Sequence, residues 1–261
     1  METQDITLTG LIIIYALAAI PLVLFHFTGI KLVKKSIISI ARMSVQLFLV
    51  GVYLQVVFTM NNFLLNALWI LIMIIIAGFN VNSNAGVKSK PMLLITFCGL
   101  LTSTIIIASV FIALGIQPQP LYDARYLIPI AGMIVGNSLR GNVIGLDRFV
   151  TQIKHNEKEY LSSLFMGATP FEAVQPFFIN SVKSALLPTI STVATMGIVS
   201  LPGMMTGQIL GGSSPLIAIR YQVGIMLAIF ASSTIGIYMN LFLSFRYMFN
   251  QSGFVKSEFL T

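Results

Sequence analysis

Charged residues are scarce in this chain. Only 9% of its 261 residues are Asp, Glu, Lys or Arg, whereas 56% are hydrophobic. A soluble domain devotes about a quarter of its residues to charge, because its surface must be wetted. This shortage excludes an ordinary soluble globular protein. The sequence therefore predicts a lipid-embedded integral membrane protein, with residues 1–261 forming a single polytopic transmembrane domain.

Cysteine, histidine and nucleotide-binding glycine motifs are also scarce. Cys98 is the single cysteine, which excludes an intrachain disulfide framework and a cysteine-rich metal site. The predicted spans offer no thiol, carboxylate or histidine cage for a metal, and no acid–base pair for an embedded enzyme. Neither GxxxxGK[ST] nor GxGxxG occurs, so no usual phosphate cradle is present. The chain is therefore expected not to be an enzyme and to bind no cofactor itself.

What is abundant is the long apolar run. A helix needs about 20 mostly apolar residues to cross the hydrocarbon core, and helices satisfy their own backbone hydrogen bonds there. The acidic start METQDITLTG does not resemble a cleavable signal peptide. We therefore predict an all-α fold with about seven transmembrane helices, at residues 6–27, 37–58, 63–81, 92–114, 126–146, 178–200 and 220–245.

Basic residues are distributed unevenly between the connections. Alternate loops and the C-terminal tail hold most of them: Lys31, Lys34, Lys35, Lys88, Lys90, Arg148, Lys154, Lys158, Arg246 and Lys256. The other side has Arg125 and Arg220, with acidic Glu2, Asp5 and Asp123. Because Lys and Arg are retained in cytoplasmic loops, we predict an outside N-terminus and a cytoplasmic C-terminus in the plasma or inner membrane. The basic residues behind the net charge of +7 are thus explained by the orientation of the chain in the bilayer. No nucleic-acid partner is expected.

A polar segment, residues 147–177, connects the fifth and sixth predicted spans. Gly167 can end a helix, Thr169 can cap the next one, and Pro170 suits its first position. Glu172 falls in that first turn, where the helix dipole favours an acid. We predict two short helices meeting at residues 167–169 as a cytoplasmic elbow that docks a partner, through Glu159, Gly167, Ala168, Thr169, Pro170, Glu172 and Ala173.

Polar side chains in the spans are the candidates for a transport pathway. Asn137 and Arg140 lie in the fifth span among glycines at four-residue spacing, which let helices approach closely: Gly132, Gly136, Gly141 and Gly145. Ionisable groups within a span usually face a bundle interior or an aqueous cavity. The alternative is that Arg140 marks the inner end of a shorter span whose helix continues into the cytoplasm. Arg42, in the second span, either snorkels to the interface or lines the pathway.

The sixth span and the connection after it supply the remaining pathway and gating candidates. Pro188 is followed by Thr189, Ser191, Thr192 and Thr195, whose hydroxyls can satisfy a carbonyl freed by a membrane proline. The connection SLPGMMTGQILGGSSP carries no charge and can dip back into the membrane. Its candidates are Leu201, Pro202, Gly203, Met204 and Met205. The two methionines are soft enough to bind a transition metal, although flexible apolar packing is their commoner role.

Several stretches carry a family resemblance: IPIAGMIVGNSLRGNVIGLDRF, GATPFEA, VKSALLPTIST and GIVSLPGMMTGQILGGSSPLIAIRYQ. They closely resemble the FetB family of ABC-transporter permeases, which includes a bacterial iron exporter and plant aluminium-tolerance subunits. The resemblance covers nearly the whole chain and is most specific at residues 201–212. It implies a permease that pairs with a separate ATP-binding, FetA-like subunit. That subunit would bind ATP and Mg, and the exported cargo would be a metal, usually iron.

The elbow more distantly resembles the docking loop of ABC importer permeases. Gly167 and Ala168 match that loop, and Glu172 and Ala173 fall in the following helix. Leu161 stands where the loop has its glutamate, and Glu159 lies two residues upstream. The resemblance therefore implies docking at the turn more strongly than at an upstream acid.

Seven spans per chain would form half of a transport pathway. A homodimer around one two-fold axis, with two ATPases, would complete it, and a mixed pair of permeases is the alternative. A stand-alone secondary transporter or channel would need a titratable group in the membrane to couple ions. A non-transporting scaffold would leave the elbow and the uncharged LPGMM connection without a role.

Overall fold

The computed structural model describes residues 6–87, 89–250, 253–256 and 259. Within these ranges the regular structure is helical, apart from two isolated bridges, Met196 with Ser200 and Phe249 with Val255. The prediction of an all-α membrane fold is confirmed. Glu2, Asp5 and Lys88, which contributed to the predicted orientation, lie outside the described residues.

Ten α-helices follow one another along the described residues. Their bounds are α1 Leu8–Ala16, α2 Ala19–Phe27, α3 Val33–Met60, α4 Phe63–Asn84, α5 Lys90–Val110, α6 Ala124–His155, α7 Glu157–Phe165, α8 Pro170–Thr195, α9 Gly203–Leu210 and α10 Pro215–Met248. A π-helical turn, Phe111–Ile116, extends α5. In the described part of the chain, six helical stretches are long and apolar enough to cross a membrane: Leu8–Phe27, Val33–Met60, Phe63–Asn84, Lys90–Ile116, Ala124–His155 and Pro215–Met248.

The predicted sixth span has different limits in the structure. It forms part of α8, which begins at Pro170, ends at Thr195 and is not among the six apolar stretches. The elbow therefore consists of one short helix, α7, and the start of a long helix, rather than two short helices. The capped turn at Thr169 begins this long helix. The prolines inside the helix do not end it, because a proline can be tolerated within a membrane helix.

Glycines of α6 allow close packing in the centre of the bundle. A Cβ built on Gly141 would lie 2.9 Å from Ile237 Cδ1 of α10, and one on Gly145 would lie 3.4 Å from Ala185 Cβ of α8. These two glycines make the predicted close approach. Gly136, of the predicted pair Gly132 and Gly136, has open space around it instead, so it makes no close approach to another described helix.

A buried polar layer joins four helices near one end of the bundle. Asn240 Nδ2 of α10 donates to Asn142 Oδ1 of α6 at 2.9 Å. The Thr96 hydroxyl of α5 lies 3.2 Å from Asn240 Oδ1 and 3.0 Å from Asn82 Oδ1 of α4. Since α4 ends at Asn84, this layer marks the end of the membrane-crossing part of α4, and we call that end of the molecule the elbow end.

Beyond the polar layer, α6, α7, α8 and the C-terminal tail share an apolar core. Phe149, Tyr160 and Val174 are fully buried there, with Phe259 of the tail. The Tyr160 hydroxyl donates to the Gly253 carbonyl, and burial raises the pKa of Tyr160 to about 12. The elbow is therefore a packed extension of the bundle and not a loose loop.

The first three helices pack much less tightly than the others. Within α1, α2 and α3, Val57 is the only described residue that is buried. Contacts with the bundle gather at the end of α3, where Tyr53 stacks on Trp69 with ring centroids 4.2 Å apart. The backbone N–H of Ala124 also donates to Asn61 Oδ1. The remaining apolar surface of these helices is left for lipid or another polypeptide.

Candidate docking elbow and pathway cleft

The turn of the elbow has the local structure that its sequence predicts. Gly167 ends α7 with a φ of +97°, a conformation that a residue with a Cβ adopts only under strain. Thr169 caps α8 in a capping box: the Glu172 N–H donates to Thr169 Oγ1 at 3.3 Å, and the Thr169 N–H donates to Glu172 Oε2 at 2.8 Å. The Thr169 hydroxyl also donates to that carboxylate. The two hydrogen bonds that the Thr169 hydroxyl and the Thr169 N–H donate to the carboxylate hold the pKa of Glu172 below its usual value.

The elbow exposes a pair of apolar residues that are not among the predicted docking residues. Phe165 and Met166 are 81% and 80% exposed at the end of α7. Ala173, by contrast, is buried in the core. It therefore packs inside the elbow and does not form part of its surface. The position of Phe165 and Met166 in the sequence could have identified them. They come immediately before Gly167, where the helix ends and its apolar stripe stops.

Three predicted pathway residues meet in one cleft. Asn137 and Arg140 of α6 and Pro188 of α8 line a cleft of about 90 Å³, with Thr189 and Thr192 of α8 on its wall. The Asn137 amide donates to the Met133 carbonyl. The cleft is polar on both helices, which is costly for a surface facing lipid and typical of a surface facing water or protein.

Arg140 lies near the middle of α6, which runs from Ala124 to His155. It lies two residues from Asn142 of the buried polar layer. Beyond it, α6 continues to His155, about 22 Å further along the helix. Arg140 is therefore an exposed residue close to the buried polar layer, on the wall of the cleft.

The hydroxyls after Pro188 do not bond the carbonyl that the proline leaves free. That carbonyl belongs to Ser184, four residues earlier. The Thr192 hydroxyl donates to Pro188 O at 2.9 Å, and the Thr195 hydroxyl donates to Ser191 O at 3.0 Å. The helix nevertheless continues through Pro188 to Thr195, so the proline does not break it.

The other gating candidates lie apart from the cleft. Leu201 and Pro202 precede α9, and Gly203, Met204 and Met205 form its first turn. Both methionines are half-buried. None of these five residues lines the cleft of Arg140. Among the residues that the structure describes, no group of three or more His, Cys, Asp or Glu side chains could hold a metal ion.

These features define the general class to which the protein belongs. The chain is a multi-pass, all-helical membrane protein with a structured elbow between α6 and α8. A family model described as "Uncharacterised protein family (UPF0014)" matches residues 8–249. The chain belongs to this family.

Three relatives show how the family is distributed. The chain is 32% identical to the UPF0014 membrane protein slr1647 of Synechocystis, covering 87% of this chain and 88% of that one. It is 30% identical to Protein ALUMINUM SENSITIVE 3 of Arabidopsis thaliana, covering 82% and 77%. It is 27% identical to the probable iron export permease protein FetB of Escherichia coli, covering 96% and 95%. The predicted family resemblance is confirmed, and no solved structure matches the chain.

Proposed function

We propose that this chain is the membrane-spanning permease subunit of an ABC transporter that exports metal ions, with iron as the first candidate. A separate ATP-binding subunit would bind ATP and Mg and dock at the elbow. The name of the Escherichia coli relative, a probable iron export permease, supports the transport class and the cargo. The observation that carries the proposal is the direct helical connection between the elbow and the cleft.

That connection is a single helix. α8 begins at Pro170 in the elbow and carries Pro188 in the cleft, about 27 Å further along its axis. The capping box fixes its first turn, and the apolar core holds it against α6. A force applied at the elbow would therefore move the cleft wall, which is what coupling to a distant ATPase requires.

The exposed end of α7 supplies the surface for the partner. Phe165 and Met166 project beside Gly167, and exposed apolar groups of this kind commonly mark contacts with another protein. We place the elbow in the cytoplasm, with the N-terminus outside, because Lys154 and Lys158 lie next to it. Two copies related by a two-fold axis would bring two cleft walls together.

Co-purification tests the docking part of this proposal. The chain is expressed with the ATP-binding protein encoded beside it, and the retained ATPase is measured after membrane extraction. Gly167→Arg should abolish retention, because it strains the φ of +97° and places a bulky charge in the turn. Gly29→Arg is the matched control, since Gly29 also has a positive φ of +71° and open surroundings.

The proposal of docking at the elbow fails if the wild-type chain retains no ATPase, or if both arginine variants retain it equally. Cargo is tested separately, in vesicles loaded with iron and, in parallel, with other transition metals. ATP-dependent movement of iron supports the metal assignment. If no metal moves, and Met204→Ala and Met205→Ala change nothing, metal transport is wrong.

A further inference from the structure

We infer that the cleft between α6 and α8 binds an oxyanion group, so that the cargo enters as an anion or an anionic metal chelate and not as a bare cation. The inference rests on the proposed function, because it takes the cleft as part of the transport pathway. It concerns the chemical class of the cargo.

The side chains of the cleft are donors of the kind that bind carboxylates and phosphates. Arg140 presents a guanidinium with five N–H donors in a planar fork, which matches a carboxylate or phosphate. Thr189 brings a hydroxyl to the same cleft, and the Asn137 amide has a second N–H besides the one that it donates to the Met133 carbonyl. The Thr192 hydroxyl is already donated to the Pro188 carbonyl. None of the residues lining the cleft is acidic.

The positive charge of Arg140 has no nearby partner to neutralise it. Asp147 is the next acid along α6, two helical turns or about 10 Å away. No described carboxylate comes within the 4.0 Å of an ion pair with Arg140. Arg140 is an exposed residue, so its guanidinium is open to an incoming anion.

A bare metal cation would find the opposite conditions. It would be repelled by the guanidinium, since like charges interact unfavourably. The described residues also offer no cluster of His, Cys, Asp or Glu to replace its water ligands. A metal already held by carboxylate or phosphate ligands avoids both problems, because it presents oxygens to the protein.

The size of the cleft limits what it can hold. Its volume is about 90 Å³. This space admits at least one carboxylate or phosphate group. Arg140 would therefore hold one oxyanion group of a larger cargo.

Binding is measured on the permease alone, in lipid nanodiscs without any ATPase, at low ionic strength. The probes are citrate, ferric citrate, inorganic phosphate and ferrous chloride, each titrated by calorimetry. We expect at least one of the anionic probes to bind, and Arg140→Gln to weaken that binding at least about tenfold. Arg140→Lys should keep part of it. Binding of citrate without phosphate, or the reverse, identifies the oxyanion.

Arg148→Gln is the matched control, because Arg148 is an exposed arginine of the same helix that does not line the cleft. It should bind like the wild type, and all variants should elute from size exclusion as the wild type does. The inference is overturned if no anion binds, if both glutamine variants weaken binding equally, or if ferrous chloride alone binds and Arg140→Gln leaves it unchanged. Since no ATPase is present, this result is independent of the co-purification that tests docking.

Discussion

Replacing Asn240 with leucine tests whether the buried polar layer holds the bundle together. Leucine has a similar size but cannot donate to Asn142 Oδ1, which lies 2.9 Å from Asn240 Nδ2. Asn142 is only 1% exposed, so water cannot replace the lost donor. The Thr96 hydroxyl loses one acceptor but keeps Asn82 Oδ1 at 3.0 Å. The Ser244 hydroxyl, which donates to Asn240 Oδ1 at 3.4 Å, loses its acceptor as well. The variant therefore leaves two buried groups without a partner, Asn142 Oδ1 and the Ser244 hydroxyl.

The expected loss in the free energy of unfolding follows from these two buried groups, one of which makes only a long hydrogen bond in the wild type. A buried polar atom left unpaired costs about 1–3 kcal/mol in soluble proteins. Hydrogen bonds between membrane helices average about 0.6 kcal/mol and reach about 1.7. Because the layer lies near the end of the membrane-crossing part, we expect Asn240→Leu to cost about 1–2 kcal/mol.

The measurement is reversible unfolding in mixed micelles, followed by the fluorescence of Trp69, the single tryptophan. Asn142→Leu and the double variant complete a cycle. Removing both partners should cost less than the sum of the single changes by about 0.5–1.5 kcal/mol. Asn180→Leu, at an exposed position, is the control and should stay within about 0.5 kcal/mol of the wild type. If Asn240→Leu is as mild as this control, or if the two changes simply add, the layer does not stabilise the bundle.

Three further predictions concern the elbow and the packing of α10. Gly167→Ala should lower the unfolding temperature of the permease and the amount of ATPase retained, because its φ of +97° costs a residue with a Cβ about 1–2 kcal/mol; unchanged values would contradict this. The carboxylate of Glu172 has a lowered pKa, so its stabilisation is present above the ordinary value of 4.5 and is lost as pH falls through the folded value. Amide exchange across residues 167–173, corrected for intrinsic rates, should therefore rise on acidification in the wild type but not in Glu172→Gln. Gly224→Ala should cost about 1–3 kcal/mol through overpacking, since its Cβ would lie 2.6 Å from Phe111 Cε2, whereas Gly207→Ala meets nothing within 4 Å and serves as the control in thermal unfolding.

Features encoded by neighbouring residues could be predicted from the sequence. The capping box of the elbow involves Thr169 and Glu172, three residues apart, and each signal lies within one turn of helix. Most membrane-crossing stretches also agree with the predicted spans to within several residues. Hydropathy and capping depend on contiguous residues, so they can be read without knowing the fold.

The sixth span was harder to predict for a physical reason. α8 serves two environments, since Phe177 and Phe178 are buried in the core at the elbow end while Pro188 and Thr192 line the cleft. Its apolar residues therefore indicate burial in protein as much as contact with lipid. Hydropathy alone does not separate these two situations.

By itself, the sequence determined that this is a membrane protein, that it is helical and that a capped turn begins the helix after the elbow. Only the tertiary structure decided that Arg140 and Pro188 share one cleft, that Asn142 bonds Asn240 and that Tyr160 bonds the tail at Gly253. Composition and caps are properties of adjacent residues, whereas these contacts depend on how each helix is rotated and shifted against its neighbours. That rotation is set by the packing of Gly141 and the other close approaches, which no single segment specifies.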